Sequence, residues 1–193
     1  MFQMYHSDVS GIGDYFPLFQ PFEKLKTDES SKNRDQITSV FGRLLITRAQ
    51  AEVYFEYGRN DHSVDMRDFN MEPDHSRAYI AGFQKLVDLN PDSEKLLISA
   101  EITQLSQSPV RFVREAGSWY VHKISQGYTH EGEVLGAGVG PGGNIQTFDI
   151  SWMKNFRRLG IQFERYVHNN DYYQIISRRS SGQNGQWIDL SAG

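Results

Sequence analysis

The sequence predicts an all-β chain: an antiparallel meander forming part of a large transmembrane outer-membrane β-barrel. Three observations lead there. Apolar and polar side chains alternate with a period of two in several segments. Gly, Pro, Asn and Asp cluster between those segments. No helix-length apolar run, about 20 residues, occurs anywhere in the 193 residues.

The elements follow in order. Met1–His6 has neither the basic nor the apolar region of an export signal, so a barrel reading expects a longer parent protein. Gly11–Phe22 is apolar and Pro-containing without a period, and Lys24–Asp35 is charged. Residues 1–35 are therefore expected to be a mostly irregular rim or lumen segment. Ala49–Arg59 alternates most clearly, with Ala51, Val53, Phe55 and Tyr57 opposing Glu52, Tyr54, Glu56 and Gly58. One side suits water and the other an apolar solvent. Alternation alone does not say whether that solvent is lipid or a protein core.

The same pattern predicts strands at Lys95–Gln104, Ile145–Met153 and Gly160–Val167. Arg165 falls on the apolar side of the last, where the strand is expected to reach a membrane interface. Weaker patterns predict strands at Gln36–Ile46, Arg77–Val87, Ser118–Ile124, Glu133–Val139, Tyr172–Arg178 and Gln186–Leu190. Roughly ten strands in one partial-barrel domain, 1–193, result. Turns fall at Asp88–Lys95, Gly140–Asn144, His168–Asp171 and Ser181–Gln186. The connection Asn60–Ser76 is long and polar, and connections of that length are usually functional or disordered. Outer-membrane barrels have short periplasmic turns and longer extracellular loops. On that rule it shares the outer side with Leu105–Gly117.

Composition narrows the function classes. A net charge of -4 without a basic block argues against nucleic acid as a partner. The absence of cysteine excludes disulfides and thiolate chemistry. Low mean hydropathy suits a soluble β protein, and equally a barrel in which every second strand residue faces lipid. Aromatic residues make up 13% of the chain, enough to supply belts at two membrane interfaces.

Candidate chemistry is sparse. Asp61, His62, Asp65, Asp68, Glu72, Asp74 and His75 include metal-ligand types, but their spacing matches no compact metal signature. No metal or cofactor is expected. Glu52, Glu56, Glu101 and Glu164 supply carboxylates. Glu52 and Glu56 lie about 14 Å apart along one strand, too far for a glycosidase pair. Gly136–Gly143 lacks the Lys-Ser/Thr ending of a phosphate loop, so its glycines are expected to serve a tight bend or close backbone approach. Tyr54, Tyr57, Trp119, Tyr120, Tyr128, Tyr172 and Tyr173 can stack on sugar rings or form interface belts. No nucleophile motif is present, and nothing demands catalysis.

Several phrases together resemble one family. They are MFQMYHSD at Met1–Asp8, YFPLFQPFE at Tyr15–Glu23, YFEYGRNDHS at Tyr54–Ser63 and RDFNMEPDHSRAY at Arg67–Tyr79. QGYTHEGEVLGAGVGPGGN at Gln126–Asn144 and ERYVHNND at Glu164–Asp171 complete the set. In order, across nearly the whole chain, they resemble the capsule assembly Wzi family in its Bacteroidetes-type members. The resemblance implies an integral outer-membrane β-barrel, lectin-like and not an enzyme, that binds capsular polysaccharide and helps attach or organise it at the cell surface. It implies that this chain is the C-terminal portion of a longer protein. Capsular polysaccharide and outer-membrane lipid are the implied partners, with other capsule export components. Dense polar groups at strand ends make Arg59, Asp61, His62, Arg67, Asp68, Glu72, His75 and Arg77 candidate polysaccharide contacts. Tyr128, His130, Asn169 and Asp171 join them. The alternatives are a diffusion porin, separable by steady open-channel conductance, and a periplasmic glycan-processing enzyme, separable by glycan cleavage without detergent.

Overall fold

The computed structural model describes residues 2–5, 34–60, 70–71, 73–90, 94–108, 117–121, 127–173 and 188–192. Gly11–Phe22 and most of the β3–β4 connection lie outside them. The fold is all-β. Its strands are β1 (Phe2–Tyr5), β2 (Arg34–Ile46), β3 (Ala51–Asn60), β4 (Arg77–Asn90), β5 (Glu94–Gln104), β6 (Thr129–His130), β7 (Glu133–Val134), β8 (Asn144–Lys154), β9 (Arg157–Val167) and β10 (Ile188–Ala192). Eight form one antiparallel meander in the order β1-β2-β3-β4-β5-β8-β9-β10, and β6 and β7 form a separate two-stranded ladder.

The clearest alternating segments became β3, β5, β8 and β9, and the weaker patterns at Gln36–Ile46 and Arg77–Val87 became the longer β2 and β4, each held in one register by its neighbours. Among the described residues, three weaker expectations are not met: 119–120 make a turn, only Glu133–Val134 of the Glu133–Val139 segment is strand, and 172–173 are helical, while 122–124 and 174–178 lie outside the described residues. Conversely, Phe2–Tyr5, expected to be irregular, pairs with β2.

The two ends of the sheet differ. Short connections, 47–50 and 155–156 among the described residues and three residues between Asn90 and Glu94, join β2–β3, β8–β9 and β4–β5 at one end. The connections 6–33, 61–76, 105–143 and 168–187 all leave from the other. The expected common side for the connections after Asn60 and after Gln104 is thus observed.

The two faces also differ. Direct cross-strand partners share a face, so register assigns each side chain. One face carries Val40, Leu44, Val53, Phe55, Phe83, Phe148, Ile150, Leu159, Ile161 and Phe163, which are 38–73% exposed. The opposite face carries Glu52, Tyr54, Glu56, Gln84, Ser99, Glu101, Thr147, Asp149, Gln162 and Glu164. Phe41 and Leu45 of β2 also fall there and are exposed; nothing in the structure explains them.

Polar residues bound the apolar face at both ends. At the long-connection end the borders are Arg77 on β4, Gln146 on β8 and Arg165 on β9; at the other end they are Lys154 on β8 and Arg157 on β9, while on β4 the apolar Val87 follows Lys85 on the same face. The first border runs obliquely. Arg165 shares its cross-strand row with Gln146, Ile102, Ala81 and Phe55, not with Arg77 and Arg59. The border at the long-connection end therefore shifts by four residues between β4 and β9.

Candidate functional site: the polar face and the cleft beneath the β5–β8 connection

The centre of the polar face is a hydrogen-bonded array. The Tyr54 hydroxyl crosses β4 to donate to Glu101 on β5 at 2.5 Å. It can cross because β4 carries Gly82 in that row, where any Cβ would strike the Tyr54 ring. Arg43 pairs with Glu52 at 2.6 Å, and Arg158 with Asp149 at 3.1 Å. Ser151 Oγ also donates to Asp149, at 2.8 Å. Tyr54, Glu101, Asp149, Arg158 and Gln162 surround a shallow depression of about 260 Å³.

At the long-connection end, residues from the β5–β8 connection fold onto this face. Leu105, Trp119, Tyr120 and Tyr128 pack with Ala78 of β4 into a small buried cluster. Trp119 sits over Gly58, whose missing Cβ would lie 2.9 Å from the ring, and its indole N–H donates to the Arg77 carbonyl at 3.2 Å. Trp119 and Tyr120 meet edge to face at 5.8 Å. Ala137 N–H donates to the Tyr120 hydroxyl at 3.0 Å. Burial pushes that hydroxyl's pKa above its ordinary range, although the Ala137 hydrogen bond acts the other way. The glycines of Gly136–Gly143 serve close approach and bends, as expected. Gly136 lies against the Tyr120 ring, Gly140 and Gly142 have φ of 74° and 61°, and β8 rather than a helix follows.

A cleft of about 480 Å³ remains between this connection and β2–β4. Ser39, Glu56, Ile80, Trp119, Tyr120 and Leu135 line it. It combines aromatic and aliphatic walls with the Glu56 carboxylate, the Ser39 hydroxyl and tyrosine phenols. Such a lining can cover the C–H face of a sugar ring and accept hydrogen bonds from its rim.

The sequence-predicted contacts separate into groups. Arg59 and Arg77 are direct cross-strand partners at the border of the apolar face. His75 is buried in the adjoining turn, and its carbonyl accepts from Arg59 Nη2 at 3.1 Å. Tyr128 is 2% exposed within the aromatic cluster. His130 stands exposed on the β6–β7 ladder. Asn169 adopts a φ of 35°, and its side-chain oxygen accepts from Tyr172 N–H at 3.3 Å. Asp171 is buried, accepting from Gln107 N–H at 2.8 Å and from Ser118 Oγ at 3.1 Å. Asp61, His62, Arg67, Asp68 and Glu72 lie outside the described residues. No group of metal-ligating side chains occurs among the described residues.

Sequence reasoning missed Ser39 and treated Glu56 only as one strand carboxylate among four. Nothing in a one-dimensional pattern places residues 119–137 above them. No protein-family model matches the chain, and neither does any curated protein or solved structure compared with it.

Proposed function

We propose that this chain forms part of an outer-membrane β-barrel of the Wzi type, which binds capsular polysaccharide and helps hold it at the cell surface. The observation that carries the membrane part is the oblique apolar band. A four-residue shift is about 14 Å along the strands at ~3.4 Å per residue. It accumulates over three or four strand spacings of ~4.8 Å, an angle of about 35–43°. Barrel strands cross the outer membrane tilted by about 35–45°. The polar borders lie eight residues apart on β8 and β9. That is about 27 Å along the strand and about 21 Å after the tilt, close to the ~25 Å apolar band of such barrels. Tyr57 and Tyr79 at one border and Trp152 at the other occupy the levels of aromatic girdles. The short turns at one end then face the periplasm and the long connections face outward.

The capsule part draws on the family phrases and on the cleft at the outward end. Glu56 and Ser39 accept and donate hydrogen bonds to sugar hydroxyls there, beside the aromatic wall. Two measurements on the full-length protein test the reading. With every other tryptophan of that protein replaced by Phe, Trp152 fluorescence is expected to be quenched by lipids brominated on their acyl chains. A protein that leaves Trp152 unquenched is not inserted as proposed. Replacing Glu56 by Gln together with Asp61 and His62 by Ala is expected to lower cell-bound capsule several-fold while insertion persists. Wild-type capsule retention in that variant would remove the polysaccharide assignment.

A further inference from the structure

We propose that the cleft beneath the β5–β8 connection selects an amino sugar and holds its protonated amine at Glu56. The proposal deepens the polysaccharide reading above and rests on it. Among the described residues that line the cleft, Glu56 is the one charged side chain. The rest of the lining is aliphatic, aromatic or glycine, with the Ser39 and tyrosine hydroxyls.

The Glu56 carboxylate is half-buried, and among the described residues no ion pair or hydrogen bond engages it. Its direct cross-strand neighbours, Phe41 and Ile80, are apolar. Arg43, in the next row of the same face, is committed to Glu52, which it grips through Nε at 2.6 Å and Nη2 at 2.7 Å. Arg59 and Arg77 project from the opposite face of the sheet. Other carboxylates of the polar face have partners: Glu52 has Arg43, Asp149 has Arg158 and Glu101 accepts from Tyr54. A carboxylate kept among apolar groups without a counter-charge gains from a cation brought to it.

The walls favour the same ligand. Trp119 and Tyr120 line the cleft and meet edge to face at 5.8 Å. The negative faces of aromatic rings attract cations. Burial first, and the Glu56 charge as well, raise the pKa of the Tyr120 hydroxyl, so carboxylate and ring share one local field. A neutral sugar stacks on such a wall, but a protonated amine adds a charge-assisted hydrogen bond, roughly twice as strong as a neutral one. A uronate meets both the carboxylate and the ring faces with the wrong sign. The volume of about 480 Å³ is that of a small-ligand site, with room for a sugar ring behind the amine.

The test uses the full-length protein in neutral detergent at about pH 6, at which amines are protonated. The probes are the hexamer of glucosamine, the hexamer of N-acetylglucosamine and pentalysine, each titrated by calorimetry. The wild type is expected to bind the glucosamine hexamer roughly tenfold more tightly than its N-acetylated counterpart, as a charge-assisted hydrogen bond implies. Glu56→Gln keeps the shape and loses the charge, so it should bind the two hexamers alike. Glu164→Gln, on the same face away from the cleft, should keep the wild-type preference. Equal binding of the two hexamers by the wild type, or none, overturns the proposal whether or not the variants fold. So does a preference that survives in Glu56→Gln. Pentalysine bound as tightly as the glucosamine hexamer would mark a general cation site and overturns the sugar assignment. The strain's own capsular polysaccharide, titrated alongside, separates the two readings. Capsule bound without any preference between the hexamers removes only the amine assignment, whereas capsule left unbound removes the polysaccharide reading beneath it.

Discussion

Gly82 shows how a single residue shapes the polar face. It has no Cβ, so the Tyr54 ring lies flat across β4 and reaches Glu101. Gly42 plays the matching part on the other face, where its Cβ would lie 2.7 Å from the Phe55 ring. A glycine interior to a strand is entropically costly, and here the facing aromatic ring covers the gap. Gly82→Ala is therefore expected to displace Tyr54, break its bond to Glu101 and cost about 1–3 kcal/mol, the usual cost of overpacking. The denaturant midpoint of refolded protein checks this. Tyr54→Phe on its own keeps the ring over Gly82 and loses only the hydroxyl, so it should cost less. Equal effects would mean that the ring's position does not depend on Gly82.

At the level of elements, legibility divided along a physical line. β3, β5, β8 and β9 could be read from the sequence because each carries one apolar and one polar face, and period-two alternation is the direct imprint of that. Ser118–Ile124 and Glu133–Val139 carry apolar residues in a similar rhythm for another reason. Trp119, Tyr120 and Tyr128 pack onto β4 from a chain of turns, with Val134 and Val139 against them. Periodicity does not distinguish those uses. Asp171 was legible as a residue that matters, but its surroundings were not. It holds residues 107 and 118 together from the far side of β9, through Gln107 N–H and Ser118 Oγ. Asp171→Ala leaves a buried N–H without its acceptor, a loss of about 1–3 kcal/mol. Hydrogen exchange should speed up in 105–143 while β3 and β4 keep their protection; uniform acceleration would contradict a local latch. The Tyr120 hydroxyl adds a pH dependence of known sign. Its folded pKa is raised, so its contribution is complete below the unfolded value of about 10 and is lost as pH rises through the folded value. Tyr120→Phe should remove the loosening of this connection that the wild type shows in alkali.

For the whole molecule the question is what the apolar face meets. A soluble sheet hides its large apolar side chains, and this sheet exposes them over β2, β3, β4, β8 and β9. Its only cluster of buried aromatic side chains among the described residues lies at one end, under the β5–β8 connection. Monomeric soluble proteins seldom expose contiguous apolar patches beyond a few hundred Å². Two neighbouring residues of β9 decide between lipid and water. Ile161 is 57% exposed at the middle of the band, and Gln162 is exposed on the opposite face. If the band lies in a bilayer, Ile161→Arg places a charge near the midplane and costs about 2–4 kcal/mol, while Gln162→Arg on the lumen side costs little. If the same face met water, Ile161→Arg would replace one exposed side chain by another and change stability by no more than about 0.5 kcal/mol. Reversible unfolding from lipid vesicles, with both variants measured against the wild type, reads this difference directly. A large penalty confined to Ile161 is the expected result. Equal and small effects at both positions would mean that the apolar face is not in lipid.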